Sequence, residues 1–367
     1  MQGQTTNATQ VERHNQRMII SSRSLLVCFA VAAPLLLSAI WINMDANPTL
    51  FAYDIMQSLL LSRTTRFSAL KDKTIWVTGA SSGIGAELVC QLVHAEARHV
   101  ILSSRRHERL TQVAQTCSQE APGSPTVLSV LPYDAEATDA RITEATVTKA
   151  IEMSGKSIDM IFLNAGMYQV KPALQSNIED TRQIMRVNYE SPVELVLTLM
   201  RLNGWKERGY GHIVVTASLV SHGGHSLAST YSASKHALRG FFQSLSAEEF
   251  QWLRVDFVCP GAVKTNIWNA LGNDTVVADD SAKLEVERFV QLMLTGVVGP
   301  WVFFHETWIS KAPGLMWITL AAYSPLLFHF AIHAFGFARF TVWENSGQLT
   351  DSLNLPELVK ALWTTGF

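Results

Sequence analysis

Residues 78–85 read Thr-Gly-Ala-Ser-Ser-Gly-Ile-Gly, directly after the apolar, β-rich run Thr74–Thr78 and at the start of the helical pattern Gly83–Ala95. The three glycines permit a tight turn and let the backbone approach a pyrophosphate closely, while the N-terminal amides of the helix face that charge. Glycine spacing alone is a weak signal, but the strand before it and the helix after it make it informative. The stretch predicts the first strand–loop–helix unit of a dinucleotide-binding domain.

The alternation of strands and helices continues along the chain. A polar helix is predicted at His107–Cys117, and longer helical stretches lie near 140–153, 179–203 and 229–252. Between them lie five more strand candidates, namely His99–Ser103, Thr126–Leu131, Asp159–Leu163, His212–Thr216 and Arg254–Cys259. Such alternation is typical of βαβ units. We therefore expect an α/β fold, a Rossmann-type doubly wound parallel sheet with helices on both faces.

This catalytic domain is expected to span residues 71–310, with 265–302 as a lid over the substrate. Residues 44–70 are interpreted as a linker with some helical character. The chain is 48% hydrophobic and 16% charged, with a formal net charge of -2. This composition argues against disorder and gives no positive field to attract nucleic acid.

Four cysteines show neither a CxxC pair nor a zinc-like spacing, so we expect four free thiols and no metal site. They are Cys28, Cys90, Cys117 and Cys259.

An apolar run of 18 residues without charge, Leu25–Ile42, precedes the domain. It is long enough to span a bilayer, exceeds the apolar region of a signal peptide, and lacks an A-x-A cleavage site. We expect an uncleaved transmembrane anchor at 24–43 after an N-terminal tail at 1–23. Arginines before the run predict a cytosolic tail and a lumenal catalytic domain. They are Arg13, Arg17 and Arg23.

Near the C-terminus, 27 consecutive residues, Ala312–Ala338, carry no charge. Two interpretations are open, a second spanning helix or a segment that lies on the membrane beside the substrate entrance. Pro325 favours the second. Residues 311–367 are therefore expected to form an apolar, membrane-associated segment, with lipid as a partner.

The residues after the second predicted strand read Ser103-Ser104-Arg105-Arg106. A site that prefers NAD places an acid near this position, against the ribose 2′-hydroxyl. Here two guanidiniums are available for a 2′-phosphate instead. The alternative is a pair of solvated arginines opening a helix; the position favours NADP(H) over NAD.

Tyr231 and Lys235 lie four residues apart, on one face of a predicted helix. A phenol has an ordinary pKa of about 10, which a neighbouring ammonium is expected to lower. Tyr231 can then exchange a proton with a carbonyl or alcohol oxygen while a hydride moves to or from a nicotinamide. Ser218, 13 residues earlier, can hold the same oxygen. The Tyr–Lys spacing alone is common on helix surfaces.

The glycine loop, Ser218, Tyr231 and Lys235 in this order and spacing resemble the short-chain dehydrogenase/reductase family, over about residues 71–310. The resemblance implies that Asn188 is a fourth catalytic residue, which positions a water linking Lys235 to solvent. It also implies cofactor contacts from the segments Asn164-Ala165-Gly166 and Pro260–Thr265, and an adenine contact from Asp134.

The expected cofactor-binding residues are Gly79, Ser81, Ser82, Gly83, Ile84, Gly85, Arg105, Arg106, Asp134, Asn164, Ala165, Gly166, Tyr231, Lys235, Pro260, Gly261, Val263 and Thr265. The expected substrate-binding residues are Ser218, Leu219, His225, Tyr231 and Trp268.

The N-terminal anchor and apolar C-terminus are similar to those of membrane-bound members of the family related to hydroxysteroid dehydrogenases. That similarity implies an NADPH-dependent reductase, or the reverse alcohol dehydrogenase, acting on steroids, retinoids or other lipophilic carbonyls at the endoplasmic reticulum. The helices after strands four and five commonly form dimer faces in the family, so a homodimer is one expectation, but the sequence leaves the oligomeric state open. Alternatives are a keto-lipid reductase (3-ketosphinganine or a ketoacyl chain) and a non-catalytic dinucleotide-binding scaffold. The presence of Ser218, Tyr231 and Lys235 argues against the scaffold.

Overall fold

The computed structural model describes residues 44–137, 139–155, 157–249, 251–269, 283–300 and 305–346. The predicted tail and anchor, the central part of the predicted lid and the last 21 residues lie outside these ranges. The chain divides into two compact units, Met1–Met44 and Asp45–Phe367. The fold described here is that of the second unit.

A seven-stranded sheet with only parallel pairings organises this unit. Its strands are β1 Thr74–Thr78, β2 His99–Ser103, β3 Val127–Val130, β4 Met160–Leu163, β5 Gly211–Thr216, β6 Leu253–Pro260 and β7 Glu306–Ile309. Their order is β3-β2-β1-β4-β5-β6-β7, so the direction of winding reverses between β1 and β4. A crevice for a ligand opens at such a reversal, at the carboxyl ends of the strands.

Ten helices of eight or more residues are described. They are α1 Pro48–Leu60, α2 Gly83–His94, α3 His107–Glu120, α4 Ala140–Ser154, α5 Ile178–Met185, α6 Ser191–Leu202, α7 Ser229–Glu248, α8 Val286–Val298, α9 Ala312–Tyr323 and α10 Pro325–Ser346. Short helical turns lie at Arg63–Arg66, Ser68–Leu70, Ala173–Gln175, Trp205–Arg208, Leu219–Ser221 and Asn266–Asn269.

Helices cover both faces of the sheet, as the alternation of the sequence predicted. Within β1, Ile75 and Val77 join one hydrophobic core, which includes residues of α2, α3 and α8. Trp76 joins the other core, which includes residues of α4, α6 and α7. A strand buried on both faces needs apolar residues at successive positions, which explains the continuous run that identified β1. The prediction of a Rossmann-type α/β fold is confirmed.

Two features of the fold were not predicted. The edge strand β7 has only four residues and begins with Glu306, so its apolar pattern is too short to stand out. The helix predicted at 179–203 is interrupted by a π-helical segment, Arg186–Glu190, between α5 and α6. Hydrophobic periodicity does not reveal one such turn inside an otherwise regular helical pattern.

The segment at 44–70, interpreted as a linker, packs onto the domain through α1. Arg288 of α8 donates to Asp54 of α1 at 2.6 Å and to Asp45 at 2.7 Å. Arg66 forms an ion pair with the same Asp54, which is buried. A buried carboxylate is tolerable because two guanidiniums compensate for the water it loses. The network fixes α1 against α8.

The expectation of four free thiols is wrong for two of them, because Cys90 of α2 and Cys117 of α3 form a disulfide. The two helices pack side by side and bring residues 27 apart in sequence to a Cα separation of 4.6 Å. This proximity arises from helix packing, so the linear spacing of cysteines carries no sign of it. Cys259 is free and buried, and Cys28 lies outside the described residues.

The apolar C-terminal stretch forms α9 and α10, with a break at Ser324 before Pro325. Within the described ranges, no helix is both long enough and apolar enough to cross a membrane.

Reduction of the Cys90–Cys117 bond should lower the free energy of unfolding by about 3–4 kcal/mol, the loop-entropy value for a closed loop of this length. Denaturant unfolding with and without reductant measures the difference. The double variant Cys90→Ser/Cys117→Ser should match the reduced wild type and ignore the reductant, whereas Cys259→Ser should keep the response. Equal stability of the wild type in both conditions would show that the bond is absent.

Candidate active site

The hydroxyl of Thr78 joins the carboxyl ends of β1 and β4, where the sheet reverses its winding. Its Oγ1 donates to the Phe162 carbonyl at 3.1 Å and accepts from the backbone amides of Asn164 at 3.0 Å and Ala165 at 3.2 Å. The Asn164 side chain returns a hydrogen bond to the Thr78 carbonyl at 3.3 Å. These bonds hold the 164–166 segment against the glycine loop.

The glycine loop requires its glycines on two grounds. Gly79 and Gly83 have positive φ values, +67° and +56°, in the left-handed region that side chains disfavour. A Cβ on Gly79 would lie 2.8 Å from the Ala165 Cα, and one on Gly85 would lie 2.2 Å from the Gly79 carbonyl oxygen. Only glycine permits this approach of loop, helix and neighbouring strand. The result is an open backbone cradle at the N-terminus of α2, which suits a pyrophosphate.

The two arginines after β2 have different surroundings. Arg106 donates from Nη2 to the Ser81 hydroxyl at 3.0 Å and to the Ser82 hydroxyl at 3.4 Å, so it lies over the glycine loop. Arg105 turns toward Glu136 at 3.3 Å, with 60% of its side chain exposed. Arg106 and the two serines therefore form one polar cluster beside the cradle.

The other expected cofactor residues lie at the same edge of the sheet. Asp134 follows β3 and accepts from the Glu136 amide at 3.0 Å. Thr265 approaches the loop from beyond β6, with its methyl 3.0 Å from where a Gly83 Cβ would be. Ile84 packs against the core, and Pro260 ends β6. Gly261 donates to the Ile309 carbonyl at 2.9 Å, and Val263 bridges to Leu284.

Tyr231 and Lys235 lie on the buried face of α7, with 8% and 4% of their surfaces exposed. The Tyr231 hydroxyl is hydrogen-bonded to Ser218, which follows β5. Lys235 donates from Nζ to the Thr216 carbonyl at 2.8 Å and lies 5.9 Å from the centroid of the Tyr231 ring. The structure thus brings together three of the four predicted catalytic side chains at the end of β5.

The expected effect of Lys235 on Tyr231 is wrong in this geometry. Burial raises the pKa of Tyr231, and the hydrogen bond with Ser218 offsets this only in part. Burial also lowers the pKa of Lys235, to about 8. Desolvation disfavours the charged form of each group, and it is the largest influence on both pKa values. Near neutral pH Tyr231 is a protonated phenol, a proton donor, beside a Lys235 that still carries its charge.

Asn188 is buried in the π-helical segment, and its side chain is hydrogen-bonded to two other parts of the fold. Its Oδ1 accepts from the Met167 amide at 2.8 Å, and its Nδ2 donates to the Met167 carbonyl at 2.9 Å and to Ser234 Oγ at 3.0 Å. The side chain thereby ties α7 to the loop after β4. Its expected role in a water relay to Lys235 remains a prediction.

The substrate side contains two residues that the sequence analysis missed. The Tyr168 ring lies edge-on to Tyr231, with centroids 4.7 Å apart. Its position two residues after the 164–166 segment, at the carboxyl end of β4, was a usable signal. Arg339 of α10 reaches His225 from 114 positions away in sequence, for which the sequence has no signal. Leu219 is buried beside Ser218. Trp268 belongs to the short helical turn Asn266–Asn269.

A cluster of His222, Cys259 and Glu306 places three metal-ligating atoms within 4.8 Å of one another. Glu306 accepts from Trp308 at 2.9 Å and from Arg239 at 2.9 Å, and it pairs with His222. Burial raises the pKa of Glu306, but the His222 hydrogen bond leads the opposing effects and the value falls to about 2. Burial raises the pKa of Cys259, so its thiol stays protonated. These side chains are hydrogen-bond and ion-pair partners of one another, so they form a polar network around Glu306 of β7.

The fold and site together define a class of protein. A glycine cradle at the reversal of a parallel sheet, with a buried Tyr–Lys–Ser cluster at its edge, belongs to nicotinamide-dependent oxidoreductases of the Rossmann type. The residues fit the cofactor, because the close packing that Gly79 and Gly85 allow holds the loop backbone and the first amides of α2 at the reversal of the sheet, where a pyrophosphate would bind. The bound nicotinamide would supply or accept the hydride.

Comparison with known proteins defines the family. The short chain dehydrogenase family profile matches residues 73–276, more than half of the chain, and this protein belongs to that family. It is 35% identical to the Mus musculus protein Dehydrogenase/reductase SDR family member 7 over 264 residues, covering 70% of this chain and 75% of that one. It is 31% identical to Homo sapiens Retinol dehydrogenase 8 over 199 residues, covering 60% and 61%. A crystal structure of an actinorhodin polyketide ketoreductase with NADPH is 25% identical, with a TM-score of 0.57, covering 66% and 97%.

The rate of carbonyl reduction should fall as the pH rises through about 8, because the Lys235 ammonium loses its proton there. That cation stabilises the phenolate that Tyr231 becomes when it donates its proton. Profiles of kcat/KM against pH, from about 6 to 10, measure the effect. Lys235→Arg keeps its charge over this range, so its residual activity should not fall. A flat wild-type profile would contradict the role given to the Lys235 charge.

Proposed function

We propose that this protein is an NADPH-dependent reductase of lipophilic carbonyl compounds of the steroid or retinoid kind. The observation that carries the proposal is the protonated, buried Tyr231 hydroxyl, hydrogen-bonded to Ser218 and close to the Lys235 cation. A phenol kept neutral by burial is prepared to give a proton to a carbonyl oxygen, which is the step that reduction needs.

In this proposal each residue of the cluster has a separate task. Ser218 holds the substrate oxygen, and Tyr231 gives that oxygen its proton. Lys235 then stabilises the phenolate that remains, because an opposite charge nearby favours the ionised form. Thr216 keeps the ammonium in place through its carbonyl, and Asn188 keeps α7 in register with the loop after β4. The hydride comes from the nicotinamide.

The preference for NADPH over NADH is supported by Arg106. Its guanidinium lies within hydrogen-bonding distance of Ser81 and Ser82, next to the cradle for the pyrophosphate. A 2′-phosphate on the adjoining ribose would accept charge-assisted hydrogen bonds from this group. Arg105 contributes less in this scheme because Glu136 already pairs with it.

A membrane location with the catalytic domain in the lumen of the endoplasmic reticulum completes the proposal. Large apolar side chains are exposed on α1 (Leu59 80%, Leu60 72%) and at the junction of α9 and α10 (Leu326 69%). Exposed apolar surface of this kind supports contact with lipid. The Cys90–Cys117 disulfide supports an oxidising compartment, because cytosolic thiols are kept reduced. The lipophilic substrate class is supported by the name of one relative, retinol dehydrogenase 8, since retinol is a lipophilic alcohol.

Tyr231→Phe should abolish NADPH-driven reduction of a panel of hydrophobic ketones, aldehydes and quinones, by at least about 100-fold, since it removes the proton donor. NADPH binding, followed by the change in its fluorescence, should remain. Tyr323→Phe removes a hydroxyl from an exposed tyrosine and serves as the matched control. A wild type that binds NADPH but reduces nothing on the panel would favour the scaffold alternative.

Arg106→Ala should raise the KM for NADPH by about tenfold and leave the KM for NADH nearly unchanged, because only NADPH carries the 2′-phosphate. Arg105→Ala is the matched comparison and should have the smaller effect. Steady-state kinetics with the two cofactors side by side measure both. Turnover that is faster with NADH than with NADPH in the wild type would refute the assignment.

A further inference from the structure

Helix α10 packs against the loop that follows Ser218, here called the substrate loop and defined as residues 222–228. The absence of a side chain at Gly223 makes room for Phe328, whose ring would lie 2.1 Å from a Cβ at that position. Gly336, two turns further along, lies against Ser226. The rings of Trp317 and His225 are 5.6 Å apart, so α9 contacts the same loop. The C-terminal helices therefore form part of the wall of the active site.

Arg339 is the charged residue that α10 places in this wall, and it is 3% exposed. Its Nη1 donates to the Ser226 carbonyl at 3.0 Å and contacts the His225 ring at Nδ1. The guanidinium is also hydrogen-bonded to the side chain of Tyr168. Burial of a guanidinium is costly, so these contacts have to compensate for the water that it loses.

One contact of Arg339 leads to the catalytic tyrosine, and another leads to a residue of the substrate loop with an unfavourable backbone conformation. Tyr168 lies edge-on to the Tyr231 ring, 4.7 Å away. Ser226 precedes Leu227, whose φ of +65° is unfavourable for a branched side chain. Such a conformation persists only where surrounding contacts impose it. Arg339 holds the carbonyl before Leu227, and the Lys171 amide holds the Leu227 carbonyl at 2.7 Å.

We propose that Arg339 is a positioning residue of the active site, which fixes Tyr168 beside Tyr231 and holds the substrate loop in its bent conformation. The planar guanidinium is suited to this, because it can donate to several acceptors in fixed directions at once. Through Arg339, the C-terminal helices set the shape of the substrate pocket. The inference rests on the proposed reductase function for its kinetic test and has a second test that does not.

Arg339→Met should raise the KM for the carbonyl substrate by about tenfold, the usual effect of losing a hydrogen bond to a charged group. The affinity for NADPH, which binds at the glycine cradle, should not change. Arg339→Lys keeps the charge but not the planar donors and should give an intermediate KM. Glu344→Gln, at an exposed position of α10, is the control for a general disturbance of the helix.

The Tyr168→Phe background tests the route of the effect. If Arg339 acts through Tyr168, Arg339→Met should cost much less there than in the wild type. Fully multiplicative effects of the two substitutions, or an unchanged KM in Arg339→Met, would overturn the proposal.

Hydrogen exchange of the full-length protein supplies the test that needs no substrate. Arg339→Met, or Arg339→Lys if the first variant does not fold, should speed exchange of the amides in the substrate loop relative to Glu344→Gln. If the wild type reduces nothing, the proposed function fails while faster exchange still supports the positioning role. Unchanged exchange in the substrate loop overturns that role whatever the activity.

Discussion

One hydroxyl, that of Thr78, sets the geometry on which the site depends. It binds the backbone of β4 and of the residues after it through three hydrogen bonds, at the point where the sheet reverses its winding. This pins the glycine loop and the 164–166 segment together so closely that a single Cβ on Gly79 would collide with Ala165. The cofactor cradle and the catalytic cluster are built on the two strands so joined and on their neighbour β5, so their relative positions follow from this contact.

Burial then decides the chemistry of the catalytic pair. A solvated Tyr–Lys pair at this spacing would be an ordinary feature of a helix surface. Here both side chains are removed from water, and the ionised form of each becomes more difficult to maintain. The phenol therefore stays protonated, and in the proposed reaction it gives this proton to the substrate oxygen. The Thr216 carbonyl of β5 offsets part of the cost of burying Lys235, and Ser218, the proposed holder of the substrate oxygen, follows the same strand.

The sequence was sufficient to predict the parts of the protein that local patterns determine. Six of the seven strands followed from short β-rich runs, most of them buried on both faces and therefore largely apolar, whereas the edge strand β3 is partly exposed. The glycine loop and the Tyr231–Lys235 spacing indicated residues that the structure brings together at the carboxyl edge of the sheet. The disulfide, the strand β7 and Arg339 could not be found in the same way. The disulfide and the contacts of Arg339 depend on the packing of elements distant in sequence, which neither spacing nor periodicity records, whereas β7 is too short for its apolar pattern to stand out.

Helix α10 buries the charged Arg339 together with Ala338 and Val342, and it exposes Glu344 as well as large apolar side chains. Its buried side includes the guanidinium of Arg339, whereas Leu326 and Leu327 are 69% and 57% exposed. A helix that faces water normally buries its leucines and exposes its charges. Exposed leucines are favourable where the outer side of the helix meets an apolar medium, and a buried guanidinium is favourable where the inner side offers it hydrogen-bond acceptors. Arg339 finds such acceptors in the substrate loop, and a bilayer would be the apolar medium. In the proposed function, the same helix connects a lipid-facing surface with the substrate pocket.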